Sequence, residues 1–175
     1  MGIYLSLGSN VGNRQAQLEK ALAMLPEVQD KRSSCRVLHI SPCYETTPWG
    51  VLEQPNFLNL AVEIETAMTP LEFLRHVKWV ESALGREQGL RWGPRAIDID
   101  MVLWHALVLE TPELTLPHVA FRERRFVLTP LADIAPEAQD PVTGRTVREL
   151  LAILEREETH RASVERPEIW LYTSP

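Results

Sequence analysis

"FLNLAVEIET", residues 57–66, is the stretch that decides the fold. Leu58, Leu60, Val62 and Ile64 fall on one side of an extended chain, and Phe57, Asn59, Ala61 and Glu63 fall on the other. Forward of it, Thr69-Pro70-Leu71-Glu72 supplies a helix cap, a proline at the first helical position and a returning glutamate. Phe73, Val77, Val80 and Leu84 then line one face until Gly85 stops the helix. Residues 97–104 alternate again, with Ile97, Ile99, Met101 and Leu103 against Asp98, Asp100, Val102 and Trp104. Backward of it, residues 35–46 read as one extended segment, Leu18, Ala21, Leu22 and Leu25 as a helix closed by Pro26, and residues 2–8 as a strand. The order is strand, helix, strand, strand, helix, strand. It predicts an α+β fold with a ferredoxin-like split βαβ core, in which two helices cover one face of an antiparallel sheet and the other face is free for additions or ligands. Two further helices are expected, a short one over 126–133 and a capped one from Thr146 with a stripe of Val147, Leu150, Leu151 and Leu154.

The chain has 175 residues, with 45% hydrophobic and 24% charged. Residues 1–175 are expected to form one domain, burying about 70% of the unfolded surface. The net charge of -6 excludes general affinity for nucleic acid or anionic membranes, both of which need broad positive potential. No stretch approaches the ~20 apolar residues of a membrane span, and the start lacks a signal peptide's basic and apolar regions. Met1-Gly2-Ile3-Tyr4-Leu5-Ser6 fits a myristoylation pattern, but Ile3, Leu5 and Leu7 alternate like a buried strand and place that segment inside the fold. Cys35 and Cys43 lack metal-type or redox-type spacing, as befits a reducing, cytoplasmic setting.

Asp98 and Asp100 project to the same side of their strand, with Cα atoms about 6.6 Å apart from the rise per residue. Two such carboxylates can converge on one hard cation or on a pair. The plain alternative is a solvated strand face, but Val102 and Trp104 continue that face as apolar residues. Oxygen-only donors favour magnesium, completed by waters and substrate phosphates. His118 or His105 could add a nitrogen for iron or zinc, although the spacing fits no standard ligand motif.

Of the 18 basic residues, 15 are arginine, and six fall in two short stretches: Arg86, Arg91 and Arg95, then Arg122, Arg124 and Arg125. A guanidinium fork suits phosphate oxygens, so clustered arginine in an acidic protein points to a small anionic ligand, with surface ion pairing as the plain alternative. Gly85, Gly89 and Gly93 between those arginines and Trp92 suit a lid over bound phosphates. "LGSNVGNR", residues 7–14, lacks the Gly-Lys-Ser/Thr ending of a phosphate loop and reads as a tight turn. Phe57 and Asn59 on one strand face offer a flat ring beside an amide, which suits a planar heteroaromatic ligand. No Ser-His-Asp set, Cys-His pair or general-base histidine stands out, so the chemistry implied is positioning and charge neutralisation.

"LGSN", "YETTPWG", "QPNFLN", "ALGREQGLRWGPRAIDIDMVL" and "LTLPHVAFRERRFVLTPLADIAPE" occur in this order. Through them the chain resembles the 6-hydroxymethyl-7,8-dihydropterin pyrophosphokinases of folate biosynthesis, up to about residue 155. The resemblance implies a ferredoxin-like core and transfer of the β,γ-pyrophosphoryl group of ATP to the pterin hydroxymethyl oxygen, releasing AMP. It implies that Asp98 and Asp100 bind two magnesium ions and that Arg86 and Arg95 assist transfer and hold phosphates. It further matches Arg91, His118 and Arg124 to ATP contacts, and Met101, Leu114 and Thr115 to the nucleotide lining. Thr46, Trp49, Gly50, Phe57, Asn59, Trp92 and Phe126 match the pterin pocket, with Phe57 and Phe126 sandwiching the ring. The partners implied are ATP and the hydroxymethyl-dihydropterin; the protein is expected to be a monomer.

The sequence departs from that pattern at Trp49, where a smaller aliphatic residue can occur, and at Phe57, which lacks a tyrosine hydroxyl. It departs also at Val119, which replaces an aromatic, and at Gln88, near an arginine position. The last ~20 residues have no counterpart in the resemblance. The competing readings are a catalytically silent pterin- or nucleotide-binding module on the same scaffold and a magnesium-dependent nucleotidyl transferase, which would release pyrophosphate in place of AMP.

Overall fold

The alternating stretch Phe57–Thr66 forms the strand around which the sheet is built. The computed structural model describes residues 2–28, 34–48, 53–85, 95–160 and 168–173. In chain order its elements are β1 (Ile3–Ser9), α1 (Arg14–Met24), β2 (Cys35–Ile40), β3 (Tyr44–Thr46), β4 (Phe57–Thr66), α2 (Pro70–Ala83), β5 (Asp98–Trp104), β6 (Leu109–Glu110), β7 (Thr115–Leu116), α3 (Arg125–Ile134), α4 (Val147–His160) and β8 (Ile169–Leu171). The main sheet runs β5-β1-β4-β3-β8, with β2 also pairing β4, and every pairing in it is antiparallel. This is the ferredoxin-like arrangement expected from the order of elements.

The segment 35–46, read from sequence as one extended piece, is divided into β2 and β3 at Ser41-Pro42. Pro42 has no amide hydrogen and cannot continue a ladder. Ser41 closes the gap: its amide donates to the Ala61 carbonyl, and its hydroxyl accepts from the Ala61 amide, both at 2.9 Å. Both pieces therefore stay on the same edge of β4.

Helices α1 and α2 cover one face. Asn13 caps α1 by accepting from the Ala16 amide, and Thr69 and Glu72 form the reciprocal capping box of α2 expected from sequence. Beneath them lie Ile3, Leu5 and Leu7 of β1, Leu58, Leu60 and Ile64 of β4, Ile99 and Met101 of β5, and Phe73, Val77 and Val80 of α2. The other face is not wholly free. Helices α3 and α4 cover half of it, burying Tyr4, Ala61, Val102 and Leu103 against Phe121, Val127, Leu128, Leu131, Val147 and Leu150.

Strand β5 departs from strict alternation. Leu5 faces Met101 while Tyr4 faces Leu103, so Val102 is an extra residue, a β-bulge. Val102 and Leu103 consequently both pack toward α3, and Trp104 turns to the opposite side, where its ring lies 5.7 Å from that of Phe73. Trp104 therefore does not share the face of Asp98 and Asp100, contrary to the sequence pattern.

Between α3 and α4 sits Asp140, with 0% exposure. Arg122 donates to it twice, at 2.8 and 2.7 Å, and Val142 N and Thr143 Oγ1 add bonds at 3.1 and 2.5 Å. Burial works against its charge, but these donors, Arg122 foremost, outweigh it and hold the carboxyl below its ordinary 3.8. A carboxylate whose folded pKa is depressed stabilises the fold above its unfolded pKa and loses that contribution as pH falls through the folded value. Asp140→Asn should therefore destabilise the protein by about 2–4 kcal/mol at neutral pH in urea unfolding, because the donors around it lose their charged partner. The loss should shrink as pH is lowered from about 5 toward 2; equal stability of variant and parent at neutral pH would refute the assignment.

Candidate active site

The half of the second face that α3 and α4 leave open holds a row of polar residues across three strands. Asp98 lies opposite Gly8, and Gly8 lies opposite Asn59; in the next row Asp100 lies opposite Ser6. The two-residue strand period thus aims both carboxylates at the same space, and their side chains are 23% and 32% exposed. Each already meets a cation. Arg95 Nη1 lies 2.5 Å from Asp98 Oδ2, and Arg124 Nη1 lies 3.4 Å from Asp100 Oδ2.

His118 stands 3.8 Å from Asp100 through Nε2. The β5 bulge puts it there, since the Val102 carbonyl accepts from the His118 amide at 3.0 Å. Burial, aided by nearby Arg124, pushes its pKa down to about 4 against the opposing pull of Asp98, so the ring is neutral near pH 7. The Ala120 amide donates to Nδ1 at 3.2 Å, which assigns the proton to Nε2. His118 therefore offers the open space an N–H donor in place of a metal-binding lone pair. His105 lies past the far end of β5, where its amide donates to Gly2. Among the described residues no group of three or more His, Cys, Asp and Glu could hold a metal. Two carboxylates fit magnesium, which takes one or two from protein and the rest from water and phosphate.

Two buried polar residues that sequence reasoning passed over hold this geometry. Asn10, 1% exposed, accepts from the Arg95 amide at 2.7 Å and donates through Nδ2 to Gln54 and to the Pro55 carbonyl. Its own amide donates to the Arg95 carbonyl, while Ser9 Oγ donates to Ala96 O at 2.6 Å. "LGSN" is thus more than a turn; it ties the start of β5 to the segment leading into β4. Glu81, 1% exposed on α2, accepts from the Ile99 amide at 2.8 Å and from Lys78, which satisfies the outer edge of β5 between the two aspartates. Buried polar side chains need partners, but those partners are distant in sequence.

Beside the carboxylates, Asn59 Nδ2 donates to Thr46 Oγ1 at 2.8 Å, with both residues buried. Phe57 pairs with Thr46 in the ladder and is half-buried, as is Phe126 in the first turn of α3. The Arg124 guanidinium lies 5.7 Å from the Phe126 ring centre. Along the outer edge of β5, Met101 and Leu114 belong to the core under α1 and α2, and Thr115 is exposed on β7. The Met101 side chain is therefore on the opposite face from the aspartates. Of the residues expected in the site, Arg86, Arg91, Trp92, Trp49 and Gly50 lie outside the described residues.

Residues 4–136 match the family described as 7,8-dihydro-6-hydroxymethylpterin-pyrophosphokinase. The chain is 45% identical to the 2-amino-4-hydroxy-6-hydroxymethyldihydropteridine pyrophosphokinase of Methylorubrum extorquens, over 87% of this chain and 92% of that one. It is 42% identical to the folic acid synthesis protein fol1 of Schizosaccharomyces pombe, over 85% of this chain but only 20% of the longer protein's length. In fold it resembles the Plasmodium falciparum HPPK-DHPS structure with pteroate, at a TM-score of 0.72 and 17% identity, over 93% of this chain and 44% of that one.

Gly8 is required where the rows meet: a Cβ there would come within 2.9 Å of Asn59 Oδ1. Gly8→Ala should displace Asn59 from Thr46 and lower stability by about 1–2 kcal/mol, the usual range for a broken buried hydrogen bond. Thermal unfolding that matches the parent would show that the site tolerates the added carbon.

Proposed function

Since the chain belongs to the 7,8-dihydro-6-hydroxymethylpterin-pyrophosphokinase family, we propose that the open half of its sheet is where pyrophosphate passes from ATP to 6-hydroxymethyl-7,8-dihydropterin, giving AMP and the pterin diphosphate. The observation that carries this assignment is the placement of Asp98 and Asp100 side by side opposite Gly8 and Ser6, with Arg95, Arg124 and His118 around them.

Asp98 and Asp100 would hold magnesium, two ions in this reading, which would offset the charge of the triphosphate oxygens when bound. Arg95 and Arg124 exchange part of their carboxylate contact for phosphate oxygens, and the His118 Nε2–H adds a neutral donor. Arg86 and Arg91 complete the phosphate side by their place in the sequence motif. Thr115, exposed on β7, lines the nucleotide along the outer edge of β5, while Met101 and Leu114, matched to that lining by the resemblance, back it from the core under α1 and α2. Phe57 and Phe126 stack on the pterin, whose edge is read by Asn59 and Thr46; Trp49, Gly50 and Trp92 are assigned to the same pocket by their place in the sequence motif. The pterin hydroxyl attacks the β-phosphorus in line as the bond from that phosphorus to the α-phosphate oxygen breaks; AMP leaves with that oxygen, and the hydroxyl proton passes to solvent. The protein's contribution is orientation and charge neutralisation in a partly dry site.

The chain acts in this reading as one pyrophosphokinase unit, monomeric and cytoplasmic. β8 joins the same sheet as β1, which supports a single unit, and Cys35 and Cys43 are free thiols, in keeping with a reducing compartment. Among the described residues no helix is long and apolar enough to cross a membrane.

With ATP and the hydroxymethyl-dihydropterin, the nucleotide product should be AMP, and chelation of magnesium should stop turnover; release of pyrophosphate would refute the reaction class. Asp98→Ala and Asp100→Ala should each lower kcat by about a thousandfold or more while keeping the parent's circular dichroism. Wild-type turnover by both variants would remove the metal assignment. Arg95→Ala should lower kcat more than it raises the pterin KM, the signature of a contact made mainly in the transition state.

A further inference from the structure

Strand β8 lies beyond the residues that match the family, yet it extends the sheet at the pterin side. It pairs with β3 so that Thr46 faces Ile169, Glu45 faces Trp170 and Tyr44 faces Leu171. The ladder is bounded by bonds from the Thr47 amide to the Glu168 carbonyl at 3.1 Å and from the Tyr172 amide to the Cys43 carbonyl at 2.9 Å. The Glu168 amide also donates to Thr47 Oγ1 at 2.8 Å. Hydrogen-bonded and non-bonded pairs alternate in an antiparallel ladder, so bonding at 43 and 47 makes Thr46 and Ile169 a non-bonded pair, the kind whose side chains approach most closely.

The faces agree. Tyr44 reaches Asp133 of α3, and Thr46 accepts from Asn59, so both point toward the second face of the sheet. Ile169 and Leu171 then share that side, while Trp170 points the other way. Ile169 lines one cleft with Arg124, Phe126 and Glu158. Of the three residues of β8 it alone is half-buried; Trp170 and Leu171 are 39% and 54% exposed. It thus pairs with Thr46, at 2% exposure, and shares a cleft with Phe126.

We infer that Ile169 is a specificity-determining residue for the pterin: β8 delivers an apolar side chain that closes the rim of the ring-binding pocket next to Thr46 and Phe126. The inference rests on the assignment of the pterin to Phe57, Asn59, Thr46 and Phe126. An isoleucine there excludes water from one edge of the heterocycle and limits how far that edge can extend. Ladder pairing through backbone groups fixes the wall without further polar contacts on the ligand.

The test compares Ile169→Ala, which removes the wall, Ile169→Trp, which crowds it, Trp170→Ala, which alters the same strand on its other face, and Phe57→Leu as a pocket control. KM for the pterin, KM for ATP, kcat and Tm are measured on the full chain. Both Ile169 variants should raise the pterin KM about fivefold or more and leave the ATP KM within about twofold, a split that loss of global structure would not produce. Trp170→Ala should match the parent in pterin KM. Pterin KM unchanged in both Ile169 variants, or rising equally with ATP KM or in Trp170→Ala, would overturn the inference. If Phe57→Leu also leaves the pterin KM unchanged, the pocket assignment itself fails; if Phe57→Leu raises it while Ile169 variants are silent, only the role of Ile169 falls.

Discussion

Two carboxylates on one strand face, two residues apart, repel each other. The surroundings of β5 answer that repulsion. Arg95 approaches Asp98 from three residues earlier in the chain, and Arg124 approaches Asp100 from the start of α3. The strand itself is held on both edges, by β1 on one side and by the Glu81 carboxylate against the Ile99 amide on the other. Asn10 and Ser9 secure the residues just before it. Most of the buried polar groups near the site therefore have the same task, keeping two like charges aimed at one place.

The sheet separates duties by face. Under α1 and α2 the packing is mainly apolar, and Met101 and Trp104 belong to that side. The second face is divided along its length. One half is sealed by α3 and α4, and the other carries Asp98, Asp100, Gly8, Asn59 and Thr46. His118 sits at the boundary, where a half-dry environment keeps its ring neutral and its Nε2–H directed at Asp100. A site on such a boundary gains low dielectric from the packed half and ligand access from the open half.

What was legible in the sequence was whatever local periodicity encodes. The strand at 57–66, the Thr69-Glu72 capping box, the helix from Thr146 and the shared face of Asp98 and Asp100 all follow from residues within one turn or one pleat of each other. The break at Ser41-Pro42 carried a signal, a proline inside an extended run, that a uniform reading of 35–46 overrode. The bulge at Val102 carried none, because it arises from the pairing of β5 with β1 and from the His118 amide that takes the freed carbonyl. Asn10 and Glu81 were illegible for the same reason: their partners Arg95, Gln54 and Ile99 are brought to them by the fold. Strand β8 is the extreme case, a short segment whose register is set by the edge of β3.

The bulge also uncouples two halves of one strand. Residues before Val102 keep the register that aims the aspartates, while Leu103 and Trp104 answer to different neighbours. Substitutions in the packed half, at Leu103, Phe121 or Val127, can therefore drift or be redesigned for thermal tolerance without propagating a register slip to the carboxylates. β5 thus joins a half that aims two carboxylates to a half that serves a packed core.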